Sequence, residues 1–146
     1  MIGFNHGLVG GLMGKYLPWP IAIPLAIASH FVLDALPHYG IDHKTRDSKK
    51  FWKVFTISDT LLTAALAAWA IYYHHYAMFL SGLAAVMPDF VWVAHVLRNK
   101  SFDFSSYEHW FARWHAEIQR YEFPGGIWIE VPFAIILYYF VIWQTA

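Results

Sequence analysis

Long apolar runs separated by short polar connections dominate this chain. Four stretches, 21–36, 54–73, 77–97 and 127–143, approach the roughly 20 apolar residues that carry a helix across a bilayer. A fifth, 2–17, is shorter. It carries Gly3, Gly7, Gly10, Gly11 and Gly14, and Pro18, Pro20 and Pro24 separate it from the next run. Its glycines recur at spacing four, which lets helix backbones approach closely, and the prolines predict a tight turn into the second helix. The pattern predicts an all-α integral membrane helical bundle of about five helices. Four are clear spans and one is the short glycine-rich N-terminal helix, and residues 1–146 form a single membrane-embedded domain.

Between the last two spans the period changes. Tyr107, Trp110 or Phe111, Trp114, Ile118 and Tyr121 recur at steps of three and four with charged or polar residues between them. This spacing predicts an amphipathic helix within 107–123, lying at the cytoplasmic interface with its aromatics in the headgroup region. A short helix packed over the bundle would give the same pattern.

Charge orients these elements. Loop 39–53 holds Lys44, Arg46, Lys49, Lys50 and Lys53, and loop 98–126 holds Arg98, Lys100, Arg113 and Arg120, nine of the ten basic residues. The turn 74–76 has none. With five spans both basic loops share a side, which the positive-inside rule makes cytoplasmic, together with the N-terminus. A cell inner membrane protein is the expectation, with no cleavable signal peptide, since the first residues lack a basic region and a small-residue exit.

Composition agrees: 58% of residues are hydrophobic and 14% charged, below the usual quarter for a soluble domain. The formal net charge of zero argues against a nucleic-acid partner, and the absence of cysteine excludes disulfides and thiolate metal sites. The nine histidines exceed what packing in a membrane chain requires.

The acids inside the spans are the unexpected feature. Asp34, Asp59, Asp89 and Glu130 each fall in a different predicted helix. A carboxylate in hydrocarbon costs roughly 2.5–3.5 kcal/mol on insertion scales unless paired or wetted. Counted from the cytoplasmic helix ends, all four lie about one to two turns deep. His6 and His30 fall in the same half. The spacing of His30, Asp34 and His38 in 28-ASHFVLDALPHYG-40 stacks them on one helical face. Imidazole nitrogen and carboxylate oxygen are ligands that zinc, manganese and iron accept, and a divalent cation would relieve the carboxylate repulsion.

Simpler readings exist for each residue. Asp34 and His38 could end a helix before the loop, Asp59 could hydrogen-bond locally, and Asp89 could be a satisfied carboxylate beside a Pro88 kink. His95 reads as interfacial, His74 and His75 as surface residues on the opposite side, and His43 as loop. His109 and His115 lie in the amphipathic segment, and His115 reaches the acids only if that helix folds back over them.

At 4-FNHGLVGGLMG-14, 28-ASHFVLDALPHYG-40, 82-GLAAVMPD-89 and 114-WHAEIQ-119 the chain resembles the YdjM-like family of small membrane-bound proteins described as predicted metal-dependent hydrolases. The family's fuller leucine-proline-aspartate-isoleucine-aspartate-histidine motif is reduced here to Pro88-Asp89 followed by Phe90. The resemblance implies His6, His30, Asp34, His38, Asp89 and His115 as the site. His30-x3-Asp34 with Pro37-His38 is also similar, as an analogy of chemistry, to a segment of the all-helical zinc phospholipase C and nuclease fold.

Together these readings give a membrane-embedded metal-dependent hydrolase, acting on a phosphoester or lipid-linked substrate at the cytoplasmic interface. The divalent cofactor is zinc, with manganese as the alternative. Asp59 or Glu130 would serve as the catalytic general base or as an outer carboxylate orienting a ligand. Lys49, Lys50 and Lys53 would attract anionic lipid, including a phospholipid substrate, and close helix contacts leave room for a homo-oligomer. A non-catalytic metal-binding scaffold and an ion or proton transporter are the rival classes. Serine-nucleophile chemistry is disfavoured, because neither Ser29 nor Ser58 sits in a nucleophile turn.

Overall fold

Among the described residues the protein is all-α, with one minimal pair of strands. The computed structural model describes residues 1–40, 49–99 and 109–143. Lys44, Arg46, Lys100, His43 and Tyr107 lie outside the described residues, as do the side chains of Lys49, Lys50 and Lys53.

Helix α1 (Gly3–Tyr16) is the hub, packing most extensively on α4 (Tyr76–Val86), then on α2 (Trp19–Asp34) and α7 (Ile127–Ile142), and less on α3 (Lys49–Tyr72). Its glycines explain the first contact. A Cβ on Gly10 would run into the Ser81 carbonyl and the Ala85 side chain, and one on Gly14 into the Ala77 backbone. Gly11 differs, because its Cβ would meet nothing nearer than the Met78 carbonyl at 4.0 Å. Gly10→Ala is therefore expected to destabilise the bundle by about 1–3 kcal/mol through overpacking. Gly11→Ala should be neutral or slightly stabilising, since alanine is the better helix former. Thermal unfolding of the two variants in detergent measures this, and equal midpoints would contradict the α1–α4 contact.

Prolines set the remaining boundaries. Pro18 and Pro20 open α2, where a missing N–H costs nothing. Helix α2 ends at Asp34, and Pro37 disfavours helical geometry in the residue before it, so the chain turns into β1 (His38–Tyr39). His38 therefore does not stand on the face of His30 and Asp34, and the expected three-residue helical ladder is cut to two.

The span expected over 77–97 remains one apolar stretch, Tyr76–His95, but its helix changes geometry midway. Pro88 lacks a backbone N–H, and residues Met87–Asp89 tighten into a 3-10 turn between α4 and α5 (Phe90–Asn99). The amphipathic helix is shorter than 107–123: α6 covers Trp110–Ile118, and the chain then enters β2 (Glu122–Phe123), parallel to β1 with His38 opposite Glu122. This pairing has no hydrophobic periodicity to announce it. Gly126 permits it, because a Cβ there would overlap the His38 carbonyl.

Three stretches, Val54–Tyr72, Tyr76–His95 and Pro124–Ile142, are long and apolar enough to cross a membrane, and Trp19–Asp34 is apolar but shorter. Their outward faces carry Trp128, Ile135 and Leu61, all more than 60% exposed. The polar residues Asn5, His6, His30, Asp34, His38, His115 and Glu130 are instead wholly buried. Apolar outside and polar inside is the arrangement a bilayer favours.

Candidate metal centre

Three elements converge on Asp34, the last residue of α2. His30 lies one turn earlier on the same face. Its Nδ1 is 2.8 Å from the Ala85 carbonyl oxygen. A carbonyl only accepts, so Nδ1 carries the proton and the Nε2 lone pair faces the cluster. That carbonyl belongs to the last turn of α4, where the change to 3-10 geometry loosens the regular helical bonding. The Pro88 turn thus supplies both an acceptor that orients His30 and the position of Asp89.

His30 Nε2 points at Asp34 Oδ2 (3.2 Å), Asp89 Oδ1 (3.6 Å) and His115 Nε2 (3.0 Å). His115 comes from α6, which does fold back over the bundle, and its Nε2 is 2.9 Å from Asp34 Oδ2. The four residues offer ligand atoms all within 4.8 Å of one another. His30, Asp34 and His115 are fully buried, and the Asp89 side chain is 22% exposed.

These contacts test whether a cation fits. Around a tetrahedral metal with bonds of about 2.0–2.2 Å, ligand atoms stand roughly 3.3–3.6 Å apart; the contacts among His30, Asp34 and His115 and from His30 to Asp89 run from 2.9 to 3.6 Å, and the whole set lies within 4.8 Å. With its proton on Nδ1, His30 has no hydrogen to offer the two carboxylate oxygens it faces. A proton on His115 Nε2 would bond either Asp34 Oδ2 or His30 Nε2, whereas a divalent cation would engage all the converging lone pairs at once. The donor set therefore fits a metal ion.

A second layer holds the first. His6 Nε2 is 3.1 Å from Asp34 Oδ1, and its ring stacks on His30 with centroids 4.0 Å apart. Gln119 Nε2 donates to Asp34 Oδ2 at 2.9 Å, and the Met1 nitrogen lies 2.6 Å from Oδ1. Trp92 stacks on His115, and Phe31 and Phe111 meet its ring, so the cluster sits in an apolar jacket.

The other expected residues stand apart from the four donors. His38 Nδ1 is 2.7 Å from the Leu36 carbonyl, and its Nε2 faces Glu122 Oε1 at 3.5 Å, beyond a good hydrogen bond. Asp59 accepts the N–H groups of Gly3 (3.0 Å) and Phe4 (2.9 Å). Glu130 accepts from Ile2 (3.1 Å) and Asn5 Nδ2 (3.1 Å) on Oε2 and from Tyr39 (2.9 Å) on Oε1. Both carboxylates thus cap the N-terminus of α1, whose first amides lack intrahelical partners.

Gln119, Asn5 and Ala85 fall within 114-WHAEIQ-119, 4-FNHGLVGGLMG-14 and 82-GLAAVMPD-89, but the sequence alone assigns none of them a role. Gln119 is traceable, standing four residues after His115 on one helical face. Asn5 and Ala85 have no such signal.

A cavity of about 910 Å³ lies between α3 and the α1–α4 pair, and Asp89 and Gln119 form part of its wall. Fold and site together define an all-helical bundle with membrane-length helices and a buried His/Asp group able to bind a metal ion. No family model, curated protein or solved structure matches the chain.

Proposed function

We propose that the protein is a membrane-embedded, metal-dependent hydrolase of phosphoesters, working where the buried cluster meets the cavity. The observation that carries this reading is the convergence of His30, Asp34, Asp89 and His115 donor atoms beside a cavity large enough for an organic substrate. The resemblance to YdjM-like proteins points the same way, and the basic loops support a site facing the cytoplasm.

His30, Asp34 and His115 would hold the ion. A bound divalent cation would act as a Lewis acid toward a phosphoryl oxygen and raise the acidity of a water. Zinc suits an imidazole and carboxylate set, with manganese as the alternative. Asp89 is the ligand atom farthest from His30 and the one on the cavity wall, so it can take the proton of the attacking water. Overall, water adds across a P–O bond. Its hydroxyl goes to phosphorus and its remaining proton, through Asp89, to the leaving alkoxide. The apolar jacket of Trp92, Phe31 and Phe111 keeps bulk water from the cluster.

A non-catalytic metal-binding scaffold is the second reading. It is favoured by the completeness of the four-donor set, since structural sites are closed and catalytic ones keep an open position. Asp89→Asn separates the two. A hydrolase with three principal ligands should retain stoichiometric metal and lose turnover by about 100-fold or more, the usual contribution of a general base. A scaffold should lose metal and have no turnover to lose. Metal content of the purified variant, with release of phosphate from alkyl phosphates in the presence of zinc or manganese, gives both readings. Hydrolysis by Asp89→Asn at the wild-type rate would remove Asp89 from the mechanism.

A further inference from the structure

The cavity beside the cluster is mainly apolar, with Thr56, Asp59, Thr60 and Thr63 of α3 as polar groups along one wall. Gly7, Gly11, Leu66, Ala67 and Leu83 line an apolar section between α1, α3 and α4, while Asp89, Gln119 and Arg120 gather where α6 ends. Of the other carboxylates on the wall, Asp59 accepts two amides of α1, and Glu122 Oε1 stands 3.5 Å from His38 Nε2. Arg120 keeps its guanidinium against the Tyr121 ring, with 5.2 Å from carbon to centroid, on the cavity wall.

The apolar wall is unusual for a protein interior. Helix α3 contributes a long face to it, yet only 6% of the Val54–Tyr72 stretch is buried. A helix of membrane length that leaves a large space between itself and its neighbours needs that space filled, because empty volume forfeits contacts on every lining atom. Water is a poor filler among Leu66, Ala67 and Leu83. A hydrocarbon chain entering sideways from the bilayer satisfies the same surface. Gly11 keeps the passage open, since a Cβ there would meet only the Met78 carbonyl at 4.0 Å.

We infer that the cavity binds the hydrocarbon tail of a single-chain lipid phosphate, with the phosphate at the Asp89, Gln119 and Arg120 end beside the metal cluster. This inference rests on the hydrolase reading for the identity of the headgroup and not for the tail. An arginine suits a phosphate through its planar fork of donors. The volume of about 910 Å³ is at the upper end of the range of roughly 300–1,000 Å³ for sites that enclose a drug-sized ligand. A straight alkyl chain and a branched prenyl chain offer the same chemistry.

The test is native mass spectrometry of the detergent-purified full chain without added metal, incubated with hexadecyl phosphate, farnesyl phosphate, hexadecanol or inorganic phosphate. Wild type is expected to retain one of the two lipid phosphates, and the preferred arm identifies the chain type. Hexadecanol should bind more weakly, and inorganic phosphate not measurably. Gly11→Leu and Ala67→Phe each fill the cavity from opposite helices and should reduce lipid phosphate binding at least tenfold while stoichiometric zinc binding persists. Arg120→Gln should narrow the difference between hexadecyl phosphate and hexadecanol.

Zinc binding serves as the check on folding. A filled variant that binds zinc and lipid phosphate like wild type overturns the proposal, as does equal binding of inorganic phosphate and hexadecyl phosphate. If the lipid arms succeed but no alkyl phosphate is hydrolysed, the binding site stands and the hydrolase reading falls. If hydrolysis of short alkyl phosphates occurs without any dependence on chain length, the reverse holds.

Discussion

Replacing Asp34 by asparagine is expected to abolish metal binding at the candidate centre. Asp34 Oδ2 stands 3.2 Å from His30 Nε2 and 2.9 Å from His115 Nε2, so one oxygen touches both imidazole ligands. Asparagine preserves the shape and removes the charge. Its amide nitrogen can only donate, and its oxygen cannot neutralise a cation. Alteration of groups that merely orient a ligand costs about 10–100-fold in metal affinity, so loss of the central ligand should exceed that. Elemental analysis after zinc or manganese loading should give stoichiometric metal for wild type and background for Asp34→Asn.

Two companions give the ranking a structural meaning. His6→Gln keeps a donor near Asp34 Oδ1 but removes the ring stacked on His30. It should fall in the 10–100-fold range of an outer ligand. His38→Gln should leave metal affinity unchanged, because His38 bonds the Leu36 carbonyl and faces Glu122 instead of the cluster. Metal retained by Asp34→Asn, or a loaded wild type that holds none, would remove the basis for any metal chemistry here.

Comparison of these residues shows what a sequence can and cannot place. The apolar runs, the glycine spacing of α1 and the His30–Asp34 step are local periodicities, and the helices formed from them. The depth of the acids along each run pointed to a shared polar interior, and Asp34, Asp89 and Glu130 are buried or border the cluster or its capping layer. Their partners were hidden. A carboxylate near the end of a helix has the same sequence signature whether it meets a metal, a histidine or a backbone amide. Asp59 and Glu130 meet amides of α1, a contact set by how α3 and α7 approach that helix. His38 reads as the next rung after Asp34 only while the helix continues, and Pro37 stops it. His115 is the opposite case. It joins the cluster because α6 packs on α2 through Phe31, Phe111 and Trp114, and interfacial aromatics give the same pattern along the chain.

Glu130 carries the largest expected effect on the fold. Its two oxygens accept from three donors on two other segments: the Ile2 amide and Asn5 Nδ2 on α1, and the Tyr39 amide on β1. Pro132 stands two residues further on, and the residue is fully buried. Glutamine has nearly the same volume but replaces one acceptor oxygen by a donor NH2 group. Whichever way the amide turns, one side meets donors with a donor. If the nitrogen takes the Oε1 position, the Tyr39 amide is orphaned, and if it takes Oε2, the Ile2 amide is, while Asn5 Nδ2 keeps the Glu130 carbonyl oxygen at 3.4 Å. Each buried group left without a partner costs about 1–3 kcal/mol, so Glu130→Gln should lose roughly that amount in either orientation. Denaturation by sodium dodecyl sulfate, followed by circular dichroism, measures the loss. The sign of a structural role lies in the second readout. Zinc affinity of the folded fraction should change less than in His6→Gln, because none of the three donors belongs to the metal cluster. A variant of wild-type stability with abolished turnover would instead return Glu130 to the chemistry as a general base. The same comparison on Asp59→Asn, where two amide bonds to Gly3 and Phe4 are at stake, should give a smaller loss. Two carboxylates from α3 and α7 thus hold the start of α1, the helix that carries His6 to Asp34, and the site inherits its position from that clamp.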